Sequence, residues 1–453
     1  MKSRQETTFG MIFKQWPLKP LTEVAFFQEG PGLRKWQWTE SGMKVINVTN
    51  ILGDGSVDIN NTARFISHEE FENKYRHFAV AEGDIVIASS GNTYGKVGRI
   101  NRCHLPIMMN TSVIRFHPAN PNTLDQDFLY AFLRSHLFKN QMESFVIGSA
   151  QPNFGPSHLK QMLIPCPDLP TQRKIAGVLS AYDDLIENNS RRIAILEEMA
   201  QAIYREWFVN FRFPGHENVK PIDSPLGKIP EGWRVVRLDS LKAEERYAIN
   251  GGPFGSKLGT KDYVSVGIPV IRGVNLSEGG CFYDEEFVFV SPEKAEDLRA
   301  NAARPGDIVV TQRGTLGQIA RIPHKSRYPT YIISQSQMKI TLSEDKATSG
   351  YVYYFLRSKD SIIRIKNLAS SSGVPHINLN TLREFEVVLP THSLQVQFSA
   401  FVESVESAIN VYERQSRNLR TTRDLLLPKL ISGQLDVEDL DIEIREQPVE
   451  ATT

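Results

Sequence analysis

The chain has 453 residues, too many for one hydrophobic core, so roughly two to four domains are expected. Its 41% hydrophobic and 23% charged residues suit a globular protein, and three scattered cysteines, Cys103, Cys166 and Cys281, exclude a CxxC metal site or a disulfide framework. The formal net charge is zero, but residues 436–453 carry seven acids against one base, which leaves +6 on residues 1–435 and is compatible with phosphate binding without demanding it.

In chain order, the first ten residues are polar and lack an apolar signal core. No apolar run approaches ~18 residues, so a cytoplasmic chain with no membrane partner is expected. Residues 1–168 form a first globular domain of short strands (45–48, 84–88, 112–116) with a helical stretch at 124–136. Residues 169–213 form a long helix bracketed by Pro170 and Pro214-Gly215, and 214–235 a linker. Residues 236–391 repeat the first pattern, with strands at 270–272, 287–290, 307–311 and 337–341 and a helical stretch at 350–367. A second long helix fills 392–435, its end marked by Pro428, and an acidic, solvated tail closes the chain at 436–453.

The chain is written twice. Residues 152–212 align with 375–435 at an offset of 223, which puts Leu159 on Leu382, Gln172 on Gln395 and Leu196 on Leu419. Further back, Gly83-Asp84-Ile85-Val86 matches Gly306-Asp307-Ile308-Val309, Asn50 matches Asn275, and Trp16 matches Trp233. Two copies mean a pseudo-two-fold duplication, since a solenoid needs at least three repeats.

The second helix carries a seam at Phe398, Phe401, Val405, Ala408, Tyr412, Gln415, Leu419, Thr422 and Leu426, a three-then-four heptad spacing. The first supplies Ile175, Val178, Tyr182, Leu185, Asn189, Arg192, Leu196, Met199 and Ile203 in the same register. A narrow apolar stripe must be buried, either on the helix's own domain or on its repeat. A two-fold relation makes the pair antiparallel, with Ile175 near Leu426 and Asn189 near Tyr412. The expected fold is therefore mixed α/β (α+β): two globular domains joined by two long antiparallel coiled-coil helices. A helix of about 35 residues spans roughly 50 Å, about one and a half turns of B-DNA.

At this point the sequence resembles the specificity subunits of type I restriction-modification systems. The resemblance covers nearly the whole chain. It rests on the duplicated domain–helix order together with Gly227-Lys228-Ile229-Pro230-Glu231-Gly232-Trp233, Leu389-Pro390, Gln395, and Trp207-Phe208-Val209-Asn210-Phe211. It implies two target-recognition domains, each reading half of a bipartite double-stranded DNA target. It also implies assembly with two methyltransferase and two restriction–translocase subunits, and no catalysis by this chain. S-adenosylmethionine, ATP and Mg would then belong to the partner subunits, and no cofactor or metal to this one. In agreement, no Asn/Asp-Pro-Pro-aromatic methylation motif occurs. Residues 91–96 lack the spacing and the Ser/Thr of a P-loop. The alternative is a stand-alone DNA-binding or regulatory protein of the same fold; an unrecognised nuclease is a third class.

Base edges are read by side chains with paired donors and acceptors on exposed loops. The loop 89–96, with Asn92, Thr93 and Lys96, pairs with 311–318, with Arg313 and Thr315; either could be an ordinary turn. The segment 148–153, with Gln151 and Asn153, pairs with 370–376, with Ser371 and His376, and in the resembled family lies towards the DNA. The stretch 251–257 offers Lys257 to phosphate, and Arg272 stands where the first copy has Asn47. Trp207, Phe208 and Phe211 crowd a helix end, as local core or as a dock for a methyltransferase subunit.

Overall fold

The computed structural model describes residues 5–7, 10–12, 14, 16–60, 64–91, 94–146, 153–276, 282–369 and 375–442. It divides into two units: residues 1–189 with 414–453, and residues 190–413. Each unit therefore holds one globular domain, the first half of that domain's own long helix, and the second half of the other one. Among the described residues no helix is long and apolar enough to cross a membrane.

In the first unit a four-stranded antiparallel sheet runs in the order Ala25–Glu29, Val113–Pro118, Ile85–Ala88, Val97–Arg99. A smaller sheet orders Phe65–Ile66, Met43–Ile46 and Ile107–Met109, the last two strands parallel. The second unit repeats the larger sheet as Ile249–Gly251, Gln337–Ile340, Ile308–Thr311, Ile319–Arg321. Its smaller sheet has five strands, again with one parallel pair, Ile268–Ile271 beside Tyr331–Ile333. The expected linker at 214–235 contains a hairpin, Pro221–Ser224 with Gly227–Pro230, and Trp233 behind it is core.

Several repeated polar residues hold this frame. Asp84 accepts the Ala81 N–H at 2.8 Å and Asp307 accepts that of Arg304 at 2.9 Å, so each closes the turn before a central strand. Burial pushes both carboxyls above the usual carboxylate range. Gln172 accepts the Asp125 N–H at 2.9 Å and donates to Pro167 at 2.8 Å; Gln395 accepts the Thr348 N–H at 3.1 Å and donates to Pro390 at 2.9 Å. Asp125 and Thr348 are the N-caps of helices Gln126–Arg134 and Ser349–Arg357. One buried glutamine per copy thus ties the start of a long helix to a helix of its own domain.

The long helices run Leu169–Tyr204 and His392–Ile431. Their seam is displaced from the expected one at every second position. Ile186 and Ala200 are buried while the expected Leu185 and Met199 are about half exposed. In the second helix Val402, Ile409, Ser416 and Arg423 are buried, whereas Gln415 and Thr422 are exposed. The spacing is therefore four then three. The heptad was correct, but adjacent apolar pairs such as Leu185-Ile186 leave the choice of seam residue to the partner surface. Antiparallel packing holds within each unit. Ile175 and Leu179 share a core with Leu430 and Ile431, with Leu426 against it; Ala200 and Tyr204 share one with Phe398, Val402 and Val405. Asp183 receives Arg134 at 3.0 Å and also binds Arg423 of the second helix, while the Arg192 guanidinium lies 5.3 Å from the Tyr412 ring centre.

The helix ends correct three expectations. The second helix continues through Pro428 to Ile431, because the core of the first domain receives Leu430 and Ile431. The first helix passes into a π turn, Arg205–Val209, that drives Phe208 into the second domain. The start of the acidic tail is not merely solvated: Lys14 pairs with Asp436 at 2.6 Å and Glu438 at 2.8 Å.

Candidate nucleic-acid interface

The two loops singled out in each copy lie together. In the first domain Ser90 bridges Asn153, and the Phe154 N–H donates to Ser89 at 3.1 Å. In the second, Arg313 bridges His376 and the Ile377 N–H donates to Gln312 at 3.0 Å. A further tie joins each loop to the next turn, from the Ser89 N–H to Ser112 and from the Gln312 N–H to Ser336, both 2.8 Å. These bonds put Ala88 on Thr311, Ser89 on Gln312 and Ser90 on Arg313. The expected pairing, which set Ser89 on Thr311, is therefore one residue out at the start of the loop. Copy two has lost one residue between Gly314 and Gly317, so Lys96 does match Gln318, as their carbonyls accept from Ala88 and Thr311.

Arg313, Thr315 and His376 are exposed on this frame, as is Asn153; Lys96 is half-buried, beside Gly53. Asn92, Thr93, Gln151 and Ser371 lie outside the described residues. Lys257 is exposed on the short turn Gly255–Lys257. In the second domain Arg272, Arg313 and Thr315 line one recess of about 470 Å³ with Leu258, Gln335 and Gln337. Arg272 also donates to the Glu286 carbonyl at 2.9 Å, which holds its guanidinium at the recess wall.

Two of the expected sites sit deeper than an exposed contact. Asn47 is buried, its side-chain Oδ1 accepting from the Asn110 side-chain amide at 2.7 Å, so it supports the fold from beneath the surface. The aromatic cluster is core of the second unit. Phe208 lies 4.8 Å from Tyr351 and 5.0 Å from Phe398, Trp207 6.2 Å from Phe398, and Phe211 5.5 Å from Trp233. Phe208 is closed to a partner, and Trp207 and Phe211 are half-buried.

Sequence reading missed one correspondence. Gly30-Pro31 matches Gly252-Pro253: the Gly30 N–H donates to Val113 at 3.0 Å and the Gly252 N–H to Gln337 at 2.8 Å. The segments that follow differ in composition, which hid the match. Gln337 itself, fully buried with its amide nitrogen unpartnered, carried no sequence signal, because Val113 occupies its place in copy one.

The family model for the type I restriction modification DNA specificity domain matches residues 14–198 and 230–419. The chain is 24% identical over 444 residues to the type I restriction enzyme MjaIX specificity subunit of Methanocaldococcus jannaschii, covering 96% of this chain and 97% of that one. It is 22% identical to the EcoKI specificity subunit of Escherichia coli K12, covering 95% and 91%. The crystal structure of the type I restriction-modification system S subunit from M. genitalium superposes with a TM-score of 0.54 at 17% identity, over 95% of this chain and 98% of that one, which establishes a shared fold.

Proposed function

From the premise that the chain belongs to the type I restriction modification DNA specificity family, we propose that it is the sequence-reading subunit of a restriction-modification complex. It binds a bipartite double-stranded DNA target, one half per domain. The observation that carries this reading is the frame of paired loops, built twice on the same backbone hydrogen bonds but bearing different side chains, Ser90 and Asn153 against Arg313 and His376. A fixed frame with variable donors is what reading two unlike base sequences requires. The long helices, of 36 and 40 residues, are long enough to set a spacer of more than one turn of duplex at ~1.5 Å per residue.

On this reading the chain catalyses nothing itself. Two methyltransferase subunits bring S-adenosylmethionine, and two restriction–translocase subunits bring ATP and Mg. The test is selection from a duplex library carrying two randomised segments at varied spacing, using the full chain with and without co-expressed partner subunits. A split target should be enriched, with methylation and cleavage only when the partners are present. Methyl transfer or cleavage by the chain alone overturns the proposal.

A further inference from the structure

Four paired positions differ between the copies at the recess of Arg272 and Arg313. Hydrogen bonds common to both domains set them opposite one another. The Asn110 N–H donates to Ile46 at 3.0 Å and the Ser334 N–H to Ile271 at 2.9 Å, so Asn110 stands for Ser334. Three residues on, Val113 stands for Gln337, each donating back to that residue's carbonyl. The matched turns Val48–Asn50 and Gly273–Asn275 put Asn47 on Arg272 and Val48 on Gly273.

In the first domain these side chains close on one another. Asn110 donates to Asn47 at 2.7 Å, and Val48 packs against the apolar core that contains Val113. In the second domain they open. Ser334 donates to the Gln337 Oε1, and Arg272 is left to the recess wall. Gly273 vacates the space of a side chain: a Cβ there would meet nothing nearer than the Gln318 Oε1 and the Gln337 Nε2, both 3.9 Å away. Gln337 is fully buried, yet its Nε2 has no acceptor from the protein, and neither has the Arg272 Nε. Buried donors without acceptors destabilise a fold, and the valine of the first copy avoids that loss. The exchange of Val for Gln beside an exchange of Val for Gly therefore points to a ligand.

The lining says which. Among the described residues the recess of about 470 Å³ is lined by two arginines and no carboxylate. The amide oxygens of Gln318 and Gln337 already accept from the Thr311 and Ser334 hydroxyls. What remains is a set of donors, flanked by the apolar surfaces of Leu258 and Tyr263. Guanine offers two adjacent acceptors, O6 and N7, on a flat ring in the major groove. A phosphate has acceptors but no flat face for the apolar walls.

We propose that the recess receives the O6–N7 edge of one guanine in the half-target read by the second domain. Arg272 and the Gln337 amide are its donors, and Gly273 is the opening through which that amide is reached. This inference rests on the chain being a DNA specificity subunit.

The test uses the assembled complex and the split duplex that it enriches, with each guanine of the second half-target replaced in turn by 7-deazaguanine, which lacks N7. Wild type should lose affinity at one of these positions by roughly ten- to hundredfold. Gln337→Val restores the residue of the first copy, and Gly273→Val enters open space over the amide. Both should melt as wild type does, bind the unmodified target more weakly, and no longer distinguish 7-deazaguanine at that position, with the first half-target read as before. A second half-target without guanine on either strand overturns the proposal, as does wild-type indifference to every replacement. Full discrimination in both valine variants overturns it too. Equal weakening on all duplexes with a shallower salt dependence would make the ligand a phosphate and overturns the guanine assignment. A wild-type complex that enriches no duplex overturns the functional reading instead.

Discussion

The two recognition domains place an asparagine and an arginine at the same point of the same turn and use them oppositely. Asn47 and Arg272 each precede a short 3-10 turn whose last residue, Asn50 or Asn275, is fully buried and accepts the preceding backbone N–H, at 2.8 and 2.9 Å. Asn50 and Asn275 are thus framework, which is why both copies keep them. Three positions earlier, at Asn47 and Arg272, the demands part. In the first domain the side chain turns inward to Asn110, and in the second it lines an open recess. A duplicated scaffold can therefore move a position between core and surface without altering the backbone that carries it. Equivalence in alignment does not imply equivalence of role.

The largest effects should come from the cores into which the helix ends plug. Phe208→Ala should destabilise the second unit by about 3–5 kcal/mol and Ile431→Ala the first by about 2–5 kcal/mol. Amide hydrogen exchange should show each loss concentrated in its own unit; equal loss of protection in both would show that the units do not unfold separately. A smaller pair of effects separates the two turn residues. Asn47→Ala leaves the buried Asn110 amide without its acceptor, so stability should fall by about 1–3 kcal/mol while target preference stays. Arg272→Ala should do the reverse, keeping the melting temperature and weakening the half-target of the second domain by about 1–3 kcal/mol. A changed preference in Asn47→Ala would return that residue to the reading surface. The smallest effect is expected of Lys257→Ala, a general loss of affinity across all sequences with about one unit less salt slope; a sequence-selective loss would make it a base contact.

Much of this was legible in the chain. The duplication, the central strands and both long helices follow from patterns a few residues long, repeated at a nearly constant offset. The seam was misassigned at alternate positions because Leu185 and Ile186 are equally apolar, and only the packed partner decides between them. Pro428 reads locally as a stop, yet the helix runs on because distant residues of the first domain bury Leu430 and Ile431. At the candidate interface the loops were legible from glycine and polar composition. The burial of Asn47 depends on Asn110, 63 residues away, which the local sequence does not show.

The exchange of helix ends also orders events during synthesis. The second unit is one continuous stretch, residues 190–413, and can close once that stretch has left the ribosome. The first unit begins earlier but needs residues 414–431, with Leu430 and Ile431 among the last core residues made. Until then the core that Trp16, Leu21 and Ile175 belong to lacks Leu430 and Ile431. The domain translated first is thus the one completed last, and a nascent chain halted before Leu430 leaves it open to chaperones and proteases while the second already stands folded.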